Sequence, residues 1–172
     1  MIGRALMLRW LAVVTVLTLS GACGFHLRTW DLQNAMESAY VESAPRHDLA
    51  EPLRRALRQA GVTQAEDAAG ADMVIELLAQ RQQRRSASVS GTARVTEYEM
   101  TYGVRYRVID GDGTELVPAQ WIERREVFSV DRNNIVGSSE EQTLLQREMR
   151  DDILQQILRT LTAVAPRAES AG

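Results

Sequence analysis

Every even position from Tyr98 to Val108 is apolar: Tyr98, Met100, Tyr102, Val104, Tyr106 and Val108. The odd positions between Glu97 and Arg107 are mostly polar (Glu97, Glu99, Thr101, Gly103, Arg105, Arg107). A period of two sustained over that length predicts an antiparallel strand over 94–109, with one face on a core and the other in water. Asp110-Gly-Asp-Gly113 predicts a tight hairpin turn. Residues 115–130 return as a second long strand, in which Pro118 marks a bulge or a sheet edge. Upstream, 71–83 predicts a strand whose faces are both apolar at its start (Met73, Ile75, Leu77 against Val74, Glu76, Leu78), the pattern of a central strand covered on two sides. It turns polar at Arg81-Gln-Gln-Arg-Arg85, and 86–92 reads as a polar turn region. Residues 36–43 predict a further strand with a weaker alternation.

Two segments switch to helical spacing. Leu49, Leu53, Leu57 and Ala60 share one face, with Arg54, Arg55, Arg58 and Gln59 opposite. Asp48 followed by Glu51 predicts a capping box, Pro52 fits the first turn, and Gly61 closes the helix. Leu145, Met149, Ile153, Ile157 and Leu161 form a second stripe, thickened by Leu154 and Leu158. Ser138 or Ser139 begins that helix after a loop over 132–137, and Pro166 ends it. The order is β-α-β-β-β-α. The first helix links strands that can be parallel, and the remaining strands form an antiparallel meander. The expected fold is α+β: a two-layer sandwich of two helices on a four-stranded mixed sheet.

The N-terminal end follows another pattern. Arg4 and Arg9 precede the apolar run Trp10–Leu19 and the small residues Ser20, Gly21 and Ala22. A basic start, a short apolar stretch and a small-residue zone mark an export signal over 1–22. The run is too short for a membrane-spanning helix of ~20 residues. Cys23 follows, the only cysteine of the chain. A lone thiol in an oxidising compartment has no internal disulfide to make. Two readings remain: Cys23 becomes an acylated first residue, or cleavage is ordinary and the thiol is free or lost. Residues 23–34 then form a tether, 35–165 a single domain, and 166–172 a frayed tail.

Charge narrows the function further. All 20 basic residues are arginine. Without Arg4 and Arg9, 18 face 23 acidic residues, which is not a nucleic-acid binder's balance. His26 and His47 lack metal-ligand spacing, and no nucleophile motif or glycine-rich phosphate loop is present. The sequence thus implies no enzyme, metal or cofactor. Asp110–Gly113 lacks the further ligands of a calcium loop. Arg81, Arg84, Arg85 and Arg94 flank one hairpin end, as either a cationic patch suited to phosphates or a solvated strand end. Glu97, Glu99, Arg105 and Arg107 put charge on the face away from the core, for solvent or for a partner.

Ala22 and Gly21, at −1 and −2 from Cys23, resemble a bacterial lipoprotein box, with Ser20 where that box usually has leucine. Cys23-Gly-Phe-His-Leu-Arg28 is similar to the opening of mature lipopolysaccharide-assembly lipoproteins, the LptE family. Thr96-Glu-Tyr-Glu-Met100 resembles that family's Ala-Glu-Tyr-Gln-Met segment, and Glu141-Gln142 with Arg147-Glu148-Met149 is a second likeness. The resemblance implies S-diacylglycerol and N-palmitoyl groups on Cys23 and an outer-membrane location. It implies a non-catalytic plug inside LptD, the large β-barrel that delivers lipopolysaccharide to the cell surface. It also implies lipopolysaccharide binding through basic residues near the hairpin and before the last helix. In this register those places fall near Gly91 and Ser138, neither basic, and Arg85, Arg94 and Arg132 stand nearby. The alternative is a free periplasmic ligand-binding lipoprotein without a barrel partner.

Overall fold

The computed structural model describes residue 32 and residues 36–89, 95–131 and 135–169. The leader, Cys23, Arg94, Arg132 and most of the tether lie outside the described residues. Strand β1 (Ser38–Ser43) leads into helix α1 (Ala50–Gln59), which returns the chain to β2 (Thr63–Gln64). Three long strands follow, β3 (Met73–Val89), β4 (Val95–Asp110) and β5 (Glu115–Asp131), and then helix α2 (Ile135–Glu169). The sheet has five strands in the order β2-β1-β3-β4-β5, one more than expected. The extra strand has only two residues, too few to register as a periodicity. It pairs parallel to β1, Ser38 with Thr63 and Ala39 with Gln64.

β1 and β3 are parallel, as the crossover predicts, and β3, β4 and β5 are antiparallel. Their starts are clamped reciprocally. The Asp72 carboxylate accepts the Glu37 and Ser38 amides at 3.1 and 2.8 Å, and Asp72 N–H donates to Ser38 Oγ at 3.0 Å. At the opposite end of β3 the polar stretch Arg81–Val89 stays in the sheet, so the strand runs well past Gln83. Its backbone needs partners, and β4 supplies them over its whole length. β5 lies at the sheet edge and is also bulged: Tyr106 pairs with Gln120 but Val108 pairs with Val117, so the register slips around Pro118. The proline lacks the N–H that a regular ladder would use.

The Asp110–Gly113 hairpin forms as expected. Gly113 N–H donates to Asp110 O at 3.1 Å, and Gly113 takes φ +85°, open to glycine without strain. Asp110 Oδ1 accepts the Asp112 and Thr114 amides at 3.1 and 2.7 Å. Gly111 packs so closely on β3 that a Cβ would lie 2.8 Å from Ala71 O.

Both helices cover one face of the sheet. The even residues Met100 to Val108 of β4 are buried there with Ala39, Val41, Met73, Ile75 and Leu77. Leu53 and Leu57 of α1 and Met149, Ile153, Ile157, Leu158 and Leu161 of α2 close the core from above. Leu32 is fully buried in the same core, so packing begins inside the expected tether. No capping box forms at α1: Leu49 is the N-cap and makes no side-chain cap bond. The chain enters through a turn in which Ala50 N–H donates to His47 O, which places Asp48 one residue too early to cap. Glu51 pairs with Arg54 instead, at 2.8 Å. The exit is as expected: Gly61 (φ +84°) and Val62 donate back to Arg58 O and Leu57 O, a Schellman closure.

α2 corrects two expectations. It begins at Ile135, so Ser138 and Ser139 lie inside its first turns, and it continues through Pro166 to Glu169. Proline forfeits one hydrogen bond, to the carbonyl four residues back, and this falls in the helix's last turns.

Candidate functional site

The extended β3–β4–β5 sheet gives the site its two faces. Side chains alternate across it, so neighbouring arginines of β3 part company. Arg84 points to the helix side. Its guanidinium donates to Gln142 Oε1 of α2 at 3.0 Å and lies 4.8 Å from the Tyr98 ring centroid. Tyr98 in turn stacks on Phe128. Arg84 and Gln142, with Gln82, Gln83, Met100 and Gln146, border a cavity of about 300 Å³ between the sheet and α2. Arg124 holds the same helix lower down, 3.0 Å from Gln156 Oε1 and 3.5 Å from Asp152.

Arg81 and Arg85 point to the outer face. Arg85 pairs with Glu99 at 2.7 Å and leaves 73% of its side chain exposed. Arg81 pairs with Glu123 and stacks 4.4 Å over the Trp121 ring. Arg125 shares Glu123 at 3.2 Å. Arg81, Arg85, Glu99, Glu123 and Arg125, with Gln83 and Thr101, line a shallow groove of about 280 Å³. The predicted patch is therefore divided: Arg81 and Arg85 share a face, Arg84 does not, and Arg94 and Arg132 lie outside the described residues. Glu97, Glu99, Arg105 and Arg107 do sit on the face away from the core. Trp121 and Glu123 were missed as site residues. The signal was present, since period two places them with Arg125 on one side of β5.

Further along the outer face Arg107 forks onto Glu76, with both bonds at 2.7 Å. The carboxylate holds the Arg107 guanidinium above its ordinary pKa, chiefly through that hydrogen bond. The pair explains how Glu76 is buried in a central strand. Among the described residues His47 Nε2, Gln64 Nε2 and Tyr102 Oη are buried without a hydrogen-bond partner. Burial pushes the His47 imidazole below its ordinary pKa. Burial, with a smaller contribution from Asp48, pushes the Tyr102 phenol up to about 12.

This chemistry is that of contact: forked arginines, paired carboxylates and a stacked indole. Among the described residues no group of three acidic, cysteine or histidine side chains is arranged to hold a metal. No described helix is long and apolar enough to cross a membrane.

Residues 36–161 match the lipopolysaccharide-assembly family LptE. The chain belongs to the LptE family. The match includes every strand of the sheet, α1 and most of α2. A curated relative, the LPS-assembly lipoprotein LptE of Photorhabdus laumondii, is 27% identical over 88% of this chain and 82% of its own. Among solved structures, lipoprotein B of Nitrosomonas europaea is 25% identical, with a TM-score of 0.67 over 86% of this chain and 96% of its own. The rare lipoprotein B of Shewanella oneidensis, also 25% identical, gives 0.66 over 77% and 98%. The LptE-type sandwich is thus the scaffold on which both faces of this sheet are built.

Proposed function

We propose that this chain is a non-catalytic, lipid-anchored subunit of the outer-membrane machinery that assembles lipopolysaccharide. It seats in the large β-barrel LptD, helps that barrel fold and contacts lipopolysaccharide on its way to the cell surface. The observation that carries this is the LptE family match across residues 36–161. The Cys23–Arg28 opening supports acylation at Cys23, which would tether the domain to the membrane. Each buried methylene contributes about 0.8 kcal/mol, and stable anchoring takes more than one chain. The site supports the same reading. A barrel lumen is polar, and this sheet turns a charged, hydrogen-bonding face outward. Contact with lipopolysaccharide phosphates is assigned to Arg85 and Arg94, near the hairpin in the sequence, and to Arg132, before the last helix, because guanidinium groups match phosphate oxygens bidentately.

Depleting the chain from its host tests this directly. The barrel should then misassemble and lipopolysaccharide should be lost from the surface; normal assembly and export would overturn the proposal. Cys23→Ser tests the anchor separately. The variant should leave the membrane fraction, and unchanged fractionation would rule out acylation as the tether.

A further inference from the structure

We propose that the outer sheet face around Trp121 is the surface that seats against the partner, and that the wall it meets carries carboxylates. This rests on the barrel reading above and names the face that reading leaves open. The helices already cover the other side of the sheet. The open face of an antiparallel sheet is ordinarily polar, yet this one exposes Trp121 at 42% and Val127 at 58%. Tryptophan and arginine are the residue types that concentrate at interface centres.

The patch is also held in place. Arg81 stacks on Trp121 at 4.4 Å and pairs with Glu123, so the indole has limited freedom to lose on docking. Gly103 leaves the gap that this pair crosses: a Cβ there would lie 3.2–3.3 Å from the Glu123 and Arg81 side chains. Arg105 stands directly opposite Trp121 in the β4–β5 register and has no ion pair among the described residues. On this face Arg81, Arg85, Arg105 and Arg125 outnumber the carboxylates of Glu99 and Glu123, a local surplus of positive charge. A wall bearing carboxylates complements that surplus. On the helix side, exposed Val136 and Leu144 stand among charged residues and make no comparable cluster.

The test uses the full, natively processed chain in its own cells. A photo-crosslinking residue replaces Trp121, Val127 or, as the control, Leu144. Positions 121 and 127 should give adducts with the barrel, and position 144 should not. Barrel adducts from 144 alone, or lipopolysaccharide as the main adduct at 121, would overturn the assignment while leaving the barrel reading intact. Arg105→Glu should lower the recovered barrel about tenfold, through like-charge repulsion, with the melting temperature unchanged because Arg105 is exposed. An unchanged yield would overturn the assignment. Failure of the wild-type chain to recover any barrel would overturn both proposals.

Discussion

Tyr102→Phe isolates one oxygen atom. Tyr102 is 4% exposed on the core face of β4, and its hydroxyl has no partner among the described residues. A buried, unsatisfied polar group costs about 1–3 kcal/mol, and phenylalanine keeps the ring that fills the space. The variant should therefore be more stable than wild type at pH 7, by about 1 kcal/mol. For a domain of this size that is roughly 4 °C in melting temperature. The same burial sets a pH dependence. The folded phenol titrates near 12, against 10.0 for a free tyrosine. Above pH 10 the unfolded chain loses this proton and the folded chain retains it, so stability falls as pH rises towards 12. Two pH units correspond to roughly 2–3 kcal/mol. Urea unfolding of both proteins from pH 7 to 12 measures it, and the difference between them cancels the other tyrosines. The variant's advantage should widen above pH 10. A variant less stable at pH 7, with no divergence above pH 10, would show that the hydroxyl is satisfied and would refute the reasoning.

His47 gives the acidic counterpart. Burial lowers its folded pKa from 6.5, so its contribution is present above pH 6.5 and lost as pH falls below it. His47→Gln should flatten that acid slope in urea midpoints taken between pH 5 and 7.5. Gly111→Ala forces a Cβ to within 2.8 Å of Ala71 O, a backbone atom; the strain should cost about 2 kcal/mol by denaturant unfolding. Ile153→Ala empties a fully buried position between α2 and the sheet and should cost about 3 kcal/mol by the same measurement.

The long antiparallel strands were legible because one face is dry and the other wet: Tyr98 to Val108 alternate in the sequence as they do in the sheet. β2 was not, since a two-residue strand is defined by what it pairs with, not by its own pattern. The helix starts were misread where turn geometry overrode local signals, at Asp48 and at Ser138–Ser139. Leu32 was assigned to the tether because a single apolar residue carries no periodicity, and only the fold shows that it fills the core. The binding face was half legible. Arg81 and Arg85 stood out by charge, but Trp121, on which Arg81 stacks, lies far along the chain and reads in the sequence only as part of a strand. Arg84 was grouped with them by sequence proximity, which alternation across a strand undoes.

The most direct test of the central claim is what elutes with the chain when it is affinity-purified from mild detergent extracts of its own outer membrane. Mass measurement of the intact complex should show one large β-barrel protein in fixed proportion, with lipopolysaccharide. A chain that elutes alone, at the mass of a lipidated monomer, would contradict the account.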